Sequence, residues 1–407
     1  MKKLFFNRYF VVLLVLMICF LPTAITQEAE SESDAIVTAI GVDYFPAEEN
    51  IELSLQIVVP TPSAQYSQQL SVVSTKEKTV ARAASDIELR LGKYVSFPHC
   101  KVITFNEDAL KDGIEKHLDF VIRNKANSNN IVILGTKDSA KEMLNSISDI
   151  DNSLYFSTNN SGGFNKEYLR GTQISLGDFY KNYQTEDSSC LVGNVSLEKA
   201  EDVGMVSIPS MSGGGDSSSS ENNSKSQKTV VNKGESSLIK NGKMIMPLTP
   251  EQTMGFNWFD TTSTKGFLLI KNVNDDLYKN ADVGVELERK ETSIKAYFDD
   301  KTPVFCVTTR LYVRVAEIVE DIKDDRIYDE NHSYLTKTLK EKLAERINET
   351  FDEAIKIAKE NNTDVMQASK TINKYCHNKF KEYKKANADN LLENIRFEHN
   401  LIIKERM

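Results

Sequence analysis

An α+β protein is predicted, multi-domain, with mixed β-sheets packed with helices and a C-terminal part built as a sheet against two long helices. Three observations predict it. Runs rich in Ile and Val, such as Ala35 to Asp43 and Val304 to Val319, are separated by segments whose apolar residues recur at helical spacing. A Ser/Gly-rich stretch, Met211 to Ser237, divides the chain and holds almost no residue able to enter a core. The 407 residues, 40% hydrophobic and 27% charged, suffice for two or three ordinary cores.

The N-terminus stands apart from this body. Lys2, Lys3 and Arg8 precede an apolar run from Tyr9 to Leu21, and Pro22-Thr-Ala24 follows. That is the three-part pattern of an export signal, so residues 1–26 are read as a signal peptide or N-terminal anchor. The run would span only ~20 Å as a helix, short of a ~30 Å hydrocarbon core. Without those three cations the net charge of −9 becomes −12. Cys19, in Leu16-Met-Ile-Cys19, is the lipidation candidate. Its upstream Ile18 is larger than the small residue a lipoprotein signal wants, and plain hydrophobic filling is the alternative.

From Ala35 to Asp43 the chain is nearly continuous in apolar residues, as in a strand buried on both faces. Ile51, Leu53, Leu55, Ile57 and Val59 then alternate with polar neighbours, and the two runs read as a hairpin. A helix follows on Val80, Ala83, Ala84, Ile87 and Leu91, stopped by Gly92. Lys101–Phe105 is a strand, Leu110, Ile114, Leu118 and Val121 mark a helix, and Ile131–Leu134 is another strand. A helix on Ala140, Met143, Leu144 and Ile147 comes next, then a short one at Leu176, Phe179 and Tyr180. Strands alternating with helices at this spacing predict βαβ crossovers on one sheet.

Beyond the Ser/Gly stretch, short strands flank a helical turn at Thr249-Pro-Glu251. Val283, Val285 and Leu287 alternate, as do Ile294, Ala296 and Phe298, and Val304–Val319 is a long strand. One long helix places Leu335, Leu339, Leu343, Ile347, Phe351 and Ile355 on one face. A second, capped within Asn361–Asp364, carries Val365, Ala368, Ile372, Cys376, Phe380 and Tyr383. The last strand alternates Ile395, Phe397, His399, Leu401 and Ile403. The expected division is 1–26, a 27–210 module, a 211–237 flexible linker, and a 238–407 module with room for a boundary near 315.

Composition excludes several classes of function. An acidic balance of 59 Asp+Glu against 50 Lys+Arg argues against nucleic acid as a partner. One apolar run is not a polytopic membrane protein. Five cysteines without a CxxC make neither a zinc ribbon nor a disulfide scaffold. No P-loop, GxGxxG, GxSxG or HExxH is present, and the carboxylates are too scattered to select an acid–base pair. No catalytic, cofactor or metal residues are therefore assigned. His99-Cys100 would point to opposite faces of a strand, and His377 lies ~100° around a helix from Cys376, so neither dipeptide makes an ion site by itself. Trp258 and His399 read as core residues, with an exposed aromatic patch the alternative for Trp258.

The segments AIVTAIGVDYFPAEENIELSLQIVVP, LGKYVSFPHCKVITFNEDALKDGIEKHLDFVIRN and NIVILGTKDSAKEML are colinear with the N-terminal module of the Ger(x)C spore germination proteins, which this chain resembles. SLIKNGKMIMPLTPEQTMGFNWF is similar to the opening of that family's C-terminal module, with Lys240, Gly242 and Lys243 matching its hairpin and Leu248 and Glu251 its turn. Phe97-Pro-His-Cys-Lys-Val102 is the most specific stretch. Two features depart from the pattern: no Trp-Asp follows Cys19, and the Ser/Gly insertion is long. The resemblance implies a non-enzymatic C subunit of a nutrient germinant receptor on the outer face of the spore inner membrane. Its partners would be a polytopic A subunit and a transporter-like B subunit. An exported solute-binding protein working with a transporter is the second reading that export, acidity and α/β domains support.

Overall fold

The computed structural model describes residues 34–58, 70–123, 129–146, 168–199, 228–319, 334–387 and 390–405. The N-terminal segment with Cys19, and residues 211–227 of the expected linker, lie outside them.

The chain opens on an antiparallel meander of β1 (Asp34–Phe45), β2 (Asn50–Val58) and β3 (Leu70–Glu77). The expected hairpin is its first half, with Phe45 opposite Asn50 and Ile36 opposite Val58. Helix α1 (Val80–Leu91) starts where the Thr79 side chain accepts from Arg82 N and ends at Gly92, whose φ of 62° suits a residue without Cβ. β4 (Tyr94–Ser96) and β5 (Val102–Asn106) both run parallel to β1 along the same edge. The helix predicted across Leu110 to Val121 is two: α2 (Glu107–Asp112) and α3 (Ile114–Arg123), broken by Gly113 at φ 133°. Then come β6 (Val132–Thr136), α4 (Ala140–Asn145), β7 (Ile174–Ser175), α5 (Leu176–Tyr183) and β8 (Ser189–Lys199).

β5, β6 and β8 extend β1 in parallel, so the crossovers expected from the strand–helix alternation are present. Alternate residues serve opposite cores. Ile40, Val42, Ile103, Phe105 and Ile133 face the helices α1, α3 and α5, while Ala39, Val102, Val132 and Leu134 face α4. Burial on both sides is why these strands lack polar alternation.

Ten residues at the end of the Ser/Gly-rich stretch differ from the expected linker. β9 (Lys228–Val231) pairs with β8, and β10 (Ser236–Lys240) begins before residue 237. Ser236 and Ser237 are buried because each hydroxyl is bonded, to Thr253 Oγ1 at 2.8 Å and Asn194 Oδ1 at 3.0 Å. β10 and β11 (Lys243–Leu248) then complete an eleven-stranded sheet whose main path is β11-β10-β8-β6-β5-β1-β2-β3. The hairpin expected to open a C-terminal module thus hydrogen-bonds to the sheet of the first half.

The rest forms a second body. After α6 (Pro250–Asn257) come β12 (Gly266–Val273), β13 (Ala281–Asp299) and β14 (Thr302–Val319), which are antiparallel. α7 (Lys337–Glu360), α8 (Ala368–Tyr375) and α9 (His377–Ala386) precede β15 (Arg396–Glu405), parallel to β14. The two alternating runs read in 283–298 are a single strand. A bulge between Leu287 and Arg289 switches which parity faces inward, from Val283, Val285 and Leu287 to Lys290, Ile294 and Ala296. β14 runs unbroken through residue 315, and α7 lays Leu339, Leu343, Ile347 and Phe351 into the core with the sheet. The second predicted helix is interrupted at Cys376, whose backbone (φ −134°, ψ 45°) leaves helical geometry and lets Tyr383 of α9 meet Phe298 edge-on.

Candidate functional site

The signature residues of the first half prove to be joints between elements. Ala39-Ile-Gly-Val-Asp43 crosses beneath α4. A Cβ on Gly41 would lie 3.1 Å from the Ala140 carbonyl, so any larger residue would push α4 back by a few tenths of an ångström. The buried Asp43 carboxylate accepts from Ala140 N (2.7 Å), Lys141 N (3.0 Å) and Ser139 Oγ (2.9 Å), fixing the N-terminus of the helix. Burial raises its pKa, against the pull of those donors.

In Phe97–Val102 the backbone makes a turn, Cys100 N donating to Phe97 O at 2.9 Å. The Cys100 thiol is buried, donates to Val102 O at 3.5 Å and is pushed up to about 12 by that burial. His99 points outward. Cys376 Sγ donates to Ala296 O at 3.8 Å, while the exposed His377 pairs with Asn373 Oδ1 at 3.0 Å. Among the described residues no group of three His, Cys, Asp or Glu is placed to hold a metal ion.

The hairpin Lys240–Lys243 turns on Asn241 and Gly242, both at positive φ, as a two-residue hairpin requires. Lys240 Nζ donates across to Asn361 O (3.3 Å) and Asn362 O (2.7 Å) at the end of α7. Asp364 N donates to Asp187 Oδ2 at 2.8 Å, and Lys384 pairs with Glu186. These contacts join the two bodies along one seam.

Beside the seam is a cleft of about 430 Å³. One wall is α5, β7 and the start of β8, with Asp178, Asn182 and Cys190. The other is the end of α6, the 259–262 turn, and Val365 to Gln367. Asp178 and Asp260 are the charged residues of its lining, and both are held by internal donors. Asp178 accepts from Ser175 Oγ and Lys181 Nζ, and Asp260 from Thr262 N, Thr262 Oγ1 and Ser263 Oγ. The Thr172 hydroxyl in this lining is buried without a hydrogen-bond partner. Cys190 is pushed up to about 12 by burial, so its thiol is not an activated nucleophile. This lining offers polar groups to a small molecule.

The far wall is secured from behind by Lys290, a residue that sequence reading passed over. Its ammonium donates to Asn257 O (2.8 Å), Trp258 O (3.5 Å) and Asp260 O (2.6 Å), carbonyls at and just beyond the end of α6. Asn257 in turn donates to Leu169 O (2.8 Å) and Gly171 O (2.9 Å) of the first half. Burial pulls Lys290 down to about 7, with Asp260 opposing. Its charged neighbours Arg289 and Glu291 hid it; the bulge that turns it inward has no sequence signal. Trp258 is fully buried and donates to Thr350 Oγ1 at 2.9 Å, as a core residue. His399 stacks on Phe351 and bonds Asn348 and Thr309; burial, then Lys290, draws it down to about 4.

Comparison with known proteins adds the family. Residues 27–197 match the family described as spore germination protein N-terminal domain, and residues 234–404 match "Spore germination B3/ GerAC like, C-terminal". The chain belongs to the Ger(x)C family. A crystal structure titled "Crystal Structure of the GerBC protein" shares the fold, with a TM-score of 0.53 over 90% of this chain and 97% of that one, at 15% identity. No curated protein matches. Gly41, Asp43, Cys100, Lys240 and Gly242, positions on which the resemblance was drawn, do structural work in this chain. No helix among the described residues is long and apolar enough to cross a membrane.

Proposed function

We propose that this Ger(x)C protein is the C subunit of a spore nutrient germinant receptor, a non-enzymatic component exposed on the outer face of the spore inner membrane. It acts beside the A and B membrane subunits and is needed for nutrient-triggered germination. The observation that carries the reading is that both family matches occur in order, 27–197 then 234–404, across nearly the whole body. Residues 1–26 provide export, with Cys19 as the candidate for lipid attachment.

The test is deletion of the gene in a strain stripped of redundant receptors. Nutrient-triggered germination should be lost and restored by the intact gene; spores that germinate normally would refute the assignment. Cys19→Ala should release the chain from membranes and abolish fatty-acid labelling, and labelling that persists would remove Cys19 as the attachment point.

The 430 Å³ cleft between the bodies favours a second reading, a solute-binding protein working with a transporter. Thermal-shift screening of the full chain against nutrients separates the two: a tightly bound small molecule together with unimpaired germination in the deletion strain selects the second.

A further inference from the structure

Leu89 and Tyr94 are 80% and 73% exposed, more than any other large apolar side chain among the described residues. They stand at one end of the large sheet. α1 ends at Leu91, the chain turns at Gly92, and Tyr94 begins β4. The parallel register sets Tyr94 beside Asp34, where β1 begins. Asp34 is also where the chain arrives from its N-terminal apolar run. Between Leu21 and Asp34 lie residues 22–33, which even fully extended reach only ~40 Å. A membrane-held apolar run would thus keep this end of the body within ~40 Å of the bilayer.

The side chains suit that neighbour. Tyrosine is enriched at membrane–water boundaries, where its ring enters the apolar zone and its hydroxyl stays wet. Leu89 adds apolar area on the last turn of α1, and Arg90, paired with Asp86 at 2.8 Å, and Lys93 have stems that can lie along the surface.

We propose that the Asp34 end of the large sheet rests on the lipid surface, with Tyr94 and Leu89 seated at the headgroup boundary. This rests on the reading that the N-terminal segment holds the chain at a membrane. The contact makes the body a second, peripheral attachment that fixes its orientation.

The test uses the full chain reconstituted into phosphatidylcholine–phosphatidylglycerol vesicles with brominated acyl chains. Tyr94→Trp and, as an independent reporter, Leu89→Trp place a fluorophore on the patch; Tyr375→Trp, at a 55% exposed site on α8, is the control. Trp258 is buried and contributes the same background throughout. Both patch reporters should lose emission relative to unbrominated vesicles, and the control should not. If the chain floats with the vesicles but the patch reporters keep their emission, the membrane anchor stands and the lipid contact is overturned. If the chain does not float and no reporter is quenched, both fall.

Discussion

Replacing Lys290 with methionine should remove a pH-dependent part of the protein's stability. In the unfolded chain the ammonium keeps its proton to about its ordinary 10.5, whereas burial brings the folded value to about 7. Between those values unfolding takes up a proton, so the folded state gains stability as pH rises. At ~1.4 kcal/mol per pH unit, the window carries roughly 5 kcal/mol. A thioether does not titrate, so the stability of the Lys290→Met variant lacks this rise. The substitution also strips donors from three carbonyls at the end of α6. Asn257 O keeps Asp260 N at 3.2 Å, and each of the other two left unpaired costs ~1–3 kcal/mol, a penalty that does not change with pH. Relief of the buried charge and loss of the clamp therefore offset one another near pH 7. By pH 10 the relief is gone and Lys290→Met should be the less stable protein by several kcal/mol. Urea unfolding of both proteins, followed by circular dichroism from pH 7 to pH 10, measures the difference. The range stays above the His399 titration, which Lys290 also depresses. A difference in unfolding free energy that is flat across this range would refute a buried, charge-bearing Lys290.

Two further substitutions probe the second body and its seam. In Gly255→Ala the new Cβ would lie 2.3 Å from Thr350 O and 3.1 Å from the Ala354 Cβ, forcing α6 off α7 at a cost of about 2–3 kcal/mol; an unchanged denaturation midpoint would disprove that close packing. Asp364 is raised by burial from 3.8 to about 7 while its carboxylate accepts from Ala368 N and Ser369 N. The folded state thus holds a proton that the unfolded chain releases, and this stability is present below about pH 4 and lost as pH rises through about 7. Asp364→Asn should escape the loss and gain on the wild type by up to ~4 kcal/mol between pH 4 and pH 7.5, measured by denaturant midpoints.

The contrast between Trp258 and Lys290 explains how far the sequence could be read. Trp258 lies in an apolar segment, and burying its surface is favourable wherever the chain puts it, so a core role was legible. Lys290 lies in Leu287-Glu-Arg-Lys-Glu, where every pattern says solvent. Its burial depends on an irregularity in pairing with β14, a strand contributed from further along the chain. Similarly, Ser236 and Ser237 read as linker because composition reports average solubility, while their burial depends on partners at Thr253 and Asn194. β3 and β8 went unread for a related reason: their strand character is completed by neighbours already in the sheet.

The local period of most elements, the two-sided burial of β1, and the colinear segments that resemble the family were legible in the residues alone. Those properties follow from side-chain volume, branching and spacing, which act within a few residues. Three features came from the folded chain and from nowhere else: β10 and β11 finish the first sheet, Lys290 clamps the end of α6, and Tyr94 shares its end of the sheet with Asp34. Each is a pairing between segments distant along the chain, set by register, bulges and packing, and no local pattern encodes which distant segment will be the partner.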